Sequence, residues 1–362
     1  MKKAGPAALA LRAIHAAEDP TMMARALAWF VVTAGVVVNA GSSDNGTDVT
    51  APALLFGPTA ALTAPLLSSL VNGLVATPQG LKQWQELRGM MKASPGGGAL
   101  HLRQMAFADL NPAESATLAR VSRSIGLPIS IEGGGAMCGA GKGASSAKHT
   151  LATTLGPFLA AGGKLSHFML ESIYSRTFAA CSNQSHAETA QEIAAFASGL
   201  KATLGSGTAF YLYDAMPHYS VGTKWPANTP FGNHHMELGA ILSQLRSAMT
   251  AKGVKLTGYW ADSPMEYSAN YPCKSPVPTP QCKPGPAGSG YEKLAAAVNL
   301  VKSLGLKVGK TFNSEMGGKT SAATFHKGTM ADWDGTARAV PSVASGRPLV
   351  LSMFRTLCLD SF

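Results

Sequence analysis

Eight short apolar runs alternate with seven helix-like segments between residues 53 and 354, and this alternation limits the possible folds more than any other feature. The runs are ALLF (53–56), LRQMAF (102–107), PISIE (128–132), SHFMLE (166–171), AFYLYD (209–214), KLTGYW (255–260), LKVGKTF (306–312) and PLVLSMF (348–354). Helix-like segments rich in alanine and leucine lie near 77–94, 113–125, 147–161, 186–204, 236–252, 291–304 and 328–339. Parallel neighbours need a long connection, usually a helix, so regular strand–helix alternation calls for a parallel sheet. Eight such strands fit a (β/α)8 barrel; local signals allow a doubly wound open sheet equally, and the count of eight favours the barrel. Helices that end in glycine just before a strand, as in SIGLPISIE and SLGLKVGKTF, suit the sharp turn into such a barrel. Asn111-Pro112 followed by Glu114 reads as a capped helix start. No helix follows the eighth run, so the barrel either closes bare or is incomplete at its C-terminus.

Aligning the run ends brings out a second pattern. The second run leads to Asp109, the third ends at Glu132, the fourth at Glu171 and the fifth at Asp214; Asp262 follows the sixth and Glu315 the seventh. Carboxylates make up only 20 of 362 residues, so an acid after each of six consecutive strands is not expected by chance. The C-terminal strand ends of a barrel converge on one pocket. Asp109 and Asp262 also have an ordinary use as helix caps. Crowded carboxylates push their pKa values apart, and groups with separated pKa values can divide acid and base roles. Glycosidic bond cleavage needs that division. Tyr174, Tyr211, Tyr213, Tyr219, Trp225, Tyr259, Trp260 and Tyr267 lie in or beside the same loops and offer faces on which sugars stack. The expected substrate contacts are Glu132, Asp214, Asp262, Tyr213, His218, Tyr259, Trp260, Asn313 and Arg176, with Ser314 beside them.

Glutamates at the ends of the fourth and seventh strands resemble the clan of retaining glycosidases with (β/α)8 barrels. The resemblance implies Glu171 as acid/base and Glu315 as nucleophile, with no cofactor or metal and an oligo- or polysaccharide substrate. Two other readings use the same residues. Glu132, Glu171 and Asp214 resemble the divalent-metal ligands of enolase-like barrels, with Lys310 as the candidate base. A carbohydrate-binding barrel without catalysis would keep the aromatics and lose one of the two catalytic acids, whereas both acids are present here.

The formal charge of +10 is spread along the chain with no basic run interleaved with aromatics, so a nucleic-acid partner is not expected. Leu27–Val38 is a twelve-residue apolar run after Arg25, too short for a membrane anchor and followed by Val38-Asn39-Ala40, a cleavage pattern. It reads as a signal peptide over residues 1–40 of a secreted or periplasmic protein, with one domain over 41–362. Cys273 and Cys282 bracket a proline-rich loop that a disulfide could tie; Cys138 and Cys181 form the next possible pair, with a free Cys138 thiol as the alternative and Cys358 left over. The glycine-rich stretch 131–146, IEGGGAMCGAGKGASS, lacks both ends of a phosphate-binding loop and is expected to be a pocket wall beside Glu132.

Overall fold

The structure of the protein is a computed structural model that describes residues 34–38, 53–56, 82, 85, 88–89 and 98–340, apart from 182, 226, 228–235, 264–267, 269–288 and 313–321. The chain forms β1 (Ala34–Val38), β2 (Ala53–Phe56), β3 (Gly98–Arg103), α1 (Gln104–Ala108), α2 (Pro112–Ile125) and β4 (Ile129–Gly133). Next come α3 (Lys142–His149), a π-helical turn (Thr150–Leu155), α4 (Gly156–Ala160), β5 (Leu165–Glu171), α5 (Ile173–Ala180), α6 (His186–Leu204) and β6 (Ala209–Ala215). The remainder is α7 (Leu238–Ala251), β7 (Leu256–Asp262), α8 (Ser289–Ser303), β8 (Lys307–Phe312) and α9 (Ala322–Ala339).

β2 to β8 pair in chain order, each parallel to the next. β1 runs antiparallel between β2 and β8 and closes the ring. The parallel barrel expected from the alternation is present, with one difference: the place of an eighth parallel strand is taken by a segment from the N-terminal apolar run. The PLVLSMF run lies outside the described residues. No helix of the described residues is long and apolar enough to cross a membrane.

The second strand departs from its expected position. It ends at Arg103, and the residues read as its second half form α1, because Phe107 is needed on the helical layer, where its ring packs edge-on at 5.1 Å against Phe158. Asp109 is consequently the exposed C-cap of α1 and not a strand-end acid. Elsewhere the local chemistry acts as read. The Asn111 side chain accepts from the backbone of Ala113 and Glu114 while Glu114 accepts from Asn111, a reciprocal cap. The same device starts α6 at Ser185 and Glu188.

Strand residues alternate between two environments. Leu100, Leu102, Ile131, Phe168, Leu170, Phe210, Leu212, Tyr259 and Val308 pack outward with helix residues such as Phe196, Leu242, Leu245 and Leu294 in one large apolar cluster. Ala99, Met169, Tyr211, Tyr213 and Trp260 form a separate small cluster on the opposite strand faces, inside the barrel. Gly309 makes room for it, since a Cβ there would stand 2.3 Å from the Trp260 ring. Branched aliphatic residues usually fill a barrel of this kind; here the interior is aromatic and polar.

Candidate active site at the barrel mouth

The upper interior is built from β3, β4 and β5. Arg103 stands opposite Glu132 in the β3–β4 register, and Glu132 stands opposite Met169 on β5, so Glu171 lies two residues further up on the same face. Arg103 Nε lies 2.7 Å from Glu132 Oε1, and His101 Nε2 lies 3.0 Å from Glu132 Oε2. The other His101 ring nitrogen is 3.0 Å from Ser130 Oγ. Burial alone would push the Glu132 carboxyl up, but His101 and Arg103 together outweigh it and hold Glu132 below the ordinary carboxylate range.

Glu171 titrates the other way. Burial, and then the charge of Glu132, push it above the ordinary range despite Arg176, whose Nη2 lies 2.8 Å from Glu171 Oε1 and 2.6 Å from Oε2. The residue after it, Ser172, is the one non-glycine residue with positive φ among the described residues, at 48°. This turn ends β5 and starts α5, which brings Arg176 back over Glu171.

Below these acids, Tyr213 faces His101 edge-on at 6.4 Å and Trp260 faces Tyr211 edge-on at 6.1 Å. Trp260 Nε1 donates to Thr311 Oγ1 at 2.9 Å. His167, deeper still, is pushed down to about 4 by burial and by the nearby His101 and Lys307, so its ring is neutral at physiological pH. Asp262 shares the inward face of Trp260 at the end of β7.

Of the expected contacts, the barrel therefore brings together Glu132, Glu171, Tyr213, Trp260 and Asp262, with Arg176 at the rim. It turns three others to the helical side. Asp214 is fully buried there: its Oδ1 accepts from Ser175 Oγ at 2.9 Å and lies 2.8 Å from His218 Nδ1, and its Oδ2 accepts from Tyr219 at 2.9 Å. Tyr259 donates to the Asp214 carbonyl at 3.1 Å. Asp214, His218 and Tyr259 thus lock α5 and the segment after β6 onto the sheet. The period of two explains the separation, because the neighbours Tyr213 and Asp214 must point to opposite faces. Asn313, Ser314 and Glu315 lie outside the described residues.

Tyr174 and Tyr219, expected at the rim, are buried among the helices. Lys310, considered as an inward base, points outward into a buried ion pair with Asp332 of α9 and donates to the Ser263 carbonyl at 2.7 Å. The set Glu132, Glu171 and Asp214 does not converge, and the described residues contain no group of three or more His, Cys, Asp or Glu placed to hold a metal ion. His101 and Arg103 are not among the residues expected from a second strand over 102–107; the strand begins at Gly98, and GALHLR with period two puts Ala99, His101 and Arg103 on one face.

The glycine-rich loop after Glu132 uses its amides within the protein. Gly141 and Gly143 N–H donate to the two carboxylate oxygens of Glu192 at 3.0 and 2.8 Å, and a Cβ on Gly143 would strike the α6 backbone. Cys138 and Cys181 form a disulfide that ties this loop to the end of α5. Cys273, Cys282 and Cys358 are outside the described residues.

No protein-family model matches the chain, and no curated protein matches it. Among solved structures, the chain is similar to a D-psicose 3-epimerase crystallised in the presence of D-fructose, at 12% identity and a TM-score of 0.35, over 77% of this chain and 93% of that one.

Proposed function

We propose that the protein is a glycoside hydrolase whose proton donor is Glu171. The observation that carries this reading is the placement of Glu132 and Glu171 on the same inward face of adjacent strand ends, with the pKa of the first pushed below and that of the second pushed above the ordinary carboxylate range, over an interior of tyrosine and tryptophan. Glu171 gives its proton to the glycosidic oxygen as the bond to the anomeric carbon breaks. Glu315, three residues beyond β8 in sequence, attacks that carbon as the nucleophile. Glu171, now a carboxylate, takes a proton from the water that releases the sugar and so regains its starting state. Burial, and then the charge of Glu132, raise the pKa of Glu171, and Glu132 also places a negative charge near the positive charge that develops on the sugar ring.

The metal-dependent alternative loses Asp214 as a ligand and Lys310 as a base, since both are committed to the helical side. Export rests on the Leu27–Val38 run and the pattern ending at Ala40. Cleavage there removes the segment that forms β1, and N-terminal sequencing of protein recovered outside the cytoplasm tests it.

The experiment for the activity is reducing-end release from oligosaccharides and aryl glycosides by the full chain, alongside Glu171→Gln, Glu315→Gln and Glu132→Gln. Release that is abolished in the first two variants and reduced in the third supports the assignment. Full activity in Glu171→Gln, or no release from any substrate, removes it.

A further inference from the structure

Two guanidiniums stand at the mouth with more hydrogen-bonding capacity than the protein uses. The Arg103 side chain is 40% exposed and the Arg176 side chain 48% exposed, although each is paired with a carboxylate that is nearly enclosed. Arg103 engages Glu132 through Nε, so its two terminal amino groups make no hydrogen bond among the described residues. Arg176 contacts Glu171 through Nη2 alone, which leaves Nε and Nη1 open in the same sense. Both arginines act electrostatically on Glu171, so they flank the same corner of the mouth. Asp262 is the described acid at the end of β7, on the strand that carries Trp260.

The state in which Glu171 carries its proton is the one that starts the reaction proposed above. In that state Glu132 still balances Arg103, but Arg176 has lost its anionic partner. A planar fork with open N–H groups is suited to a carboxylate or a sulfate, which it can meet through two parallel hydrogen bonds. The formal charge of +10 adds a long-range attraction for a polyanion. We propose that the site takes an anionic saccharide, whose carboxylate or sulfate group is received by Arg176 and Arg103 beside Glu171. This rests on the hydrolase reading for the position of the bond that is cut, but the binding it predicts can be measured without any cleavage.

The test is calorimetric titration of the full chain with three oligosaccharides of equal length: a polyuronide fragment, a sulfated fragment and a neutral glucan fragment. The two anionic fragments are compared in low and high salt. Arg176→Gln is the first variant because its side chain is the more exposed; Arg176→Lys, which keeps the charge without the fork, is the second. At least one anionic fragment is expected to bind about tenfold or more tightly than the neutral one, and Arg176→Gln to lose about that factor, with only partial recovery in Arg176→Lys. Preference for the uronide identifies a carboxylate as the recognised group, and preference for the sulfated fragment identifies a sulfate. Equal affinity for neutral and anionic fragments overturns the proposal. So does anionic binding that Arg176→Gln leaves unchanged, which would reflect the basic surface as a whole. Cleavage of neutral glycosides without anionic preference ends this proposal and leaves the hydrolase reading standing, whereas tight, Arg176-dependent binding with no cleavage does the reverse.

Discussion

Glu132 and Glu171 occupy the same inward face of neighbouring strands, and the charge of the first adds to burial in raising the pKa of the second. The pair is asymmetric because its surroundings are: His101 and Arg103 both contact Glu132, whereas Glu171 has one partly exposed arginine. Two identical side chains thus acquire opposite preferences for the proton from the elements that flank them.

That asymmetry predicts a pH profile. On the reading proposed above, in which Glu171 donates the proton, the alkaline limb of kcat/KM is expected above the ordinary carboxylate range. Glu132→Gln removes the neighbouring charge and moves this limb to lower pH. A limb that stays in place in the variant assigns the proton donor to another group.

Stability follows the same two groups with opposite signs. The pKa of Glu171 is raised on folding, so its contribution is present at low pH and is lost as pH rises through the raised value. Glu132 is lowered, so its contribution is present above its unfolded pKa and is lost as pH falls through the lowered value. At neutral pH, Glu171→Gln is expected to melt at or above the temperature of the parent. Glu132→Gln is expected to lose about 2–3 kcal/mol, the scale of hydrogen bonds to a charged group. Chemical denaturation at two pH values reads both effects.

Asp214→Ala is predicted to act on folding. It leaves Ser175, His218 and Tyr219 without their shared buried acceptor, at a cost on the order of 3–5 kcal/mol. A variant of unchanged stability but raised KM would instead place Asp214 in the substrate site.

Lys310 and Asp332 offer a double-mutant test. Lys310→Met removes the cation paired with the buried Asp332 carboxylate, which keeps the Tyr291 hydroxyl at 3.3 Å, and is expected to cost about 3–5 kcal/mol, while Lys310→Met combined with Asp332→Leu recovers most of that loss. A double variant whose loss equals the sum of the losses measured for Lys310→Met and Asp332→Leu separately would show that the pair is not coupled.

Reduction of the Cys138–Cys181 disulfide, or Cys138→Ser, should lower stability by about 2–4 kcal/mol, since the bond closes a loop across a sequence separation of 43. The bond joins the loop that follows Glu132 to the helix that follows Glu171, so activity should fall as well. Denaturation and turnover with and without dithiothreitol measure the two effects. Activity indifferent to reduction would show that the loop is held unaided by Met137, whose N–H donates to Thr177 Oγ1 and whose carbonyl accepts from Gln184 Nε2.

By itself the amino-acid sequence determined the parallel alternation, most helix bounds and the delivery of Glu132, Glu171 and Asp262 to one end of the barrel. These features are local: apolar periodicity, caps such as Asn111 and Ser185, and glycine stops act over a few residues. Tertiary structure decided which neighbour of each pair faces inward. Tyr213 and Asp214 are equally plausible in sequence, and only the closed ring sends one to the mouth and the other to the helices. It also decided that β3 ends at Arg103, because Phe107 finds a partner in Phe158, 51 residues away, and that partner cannot be read from the local pattern. The proton preferences of Glu132 and Glu171 are tertiary as well: they arise from desolvation and from charges on other strands, which exist only once those strands lie side by side.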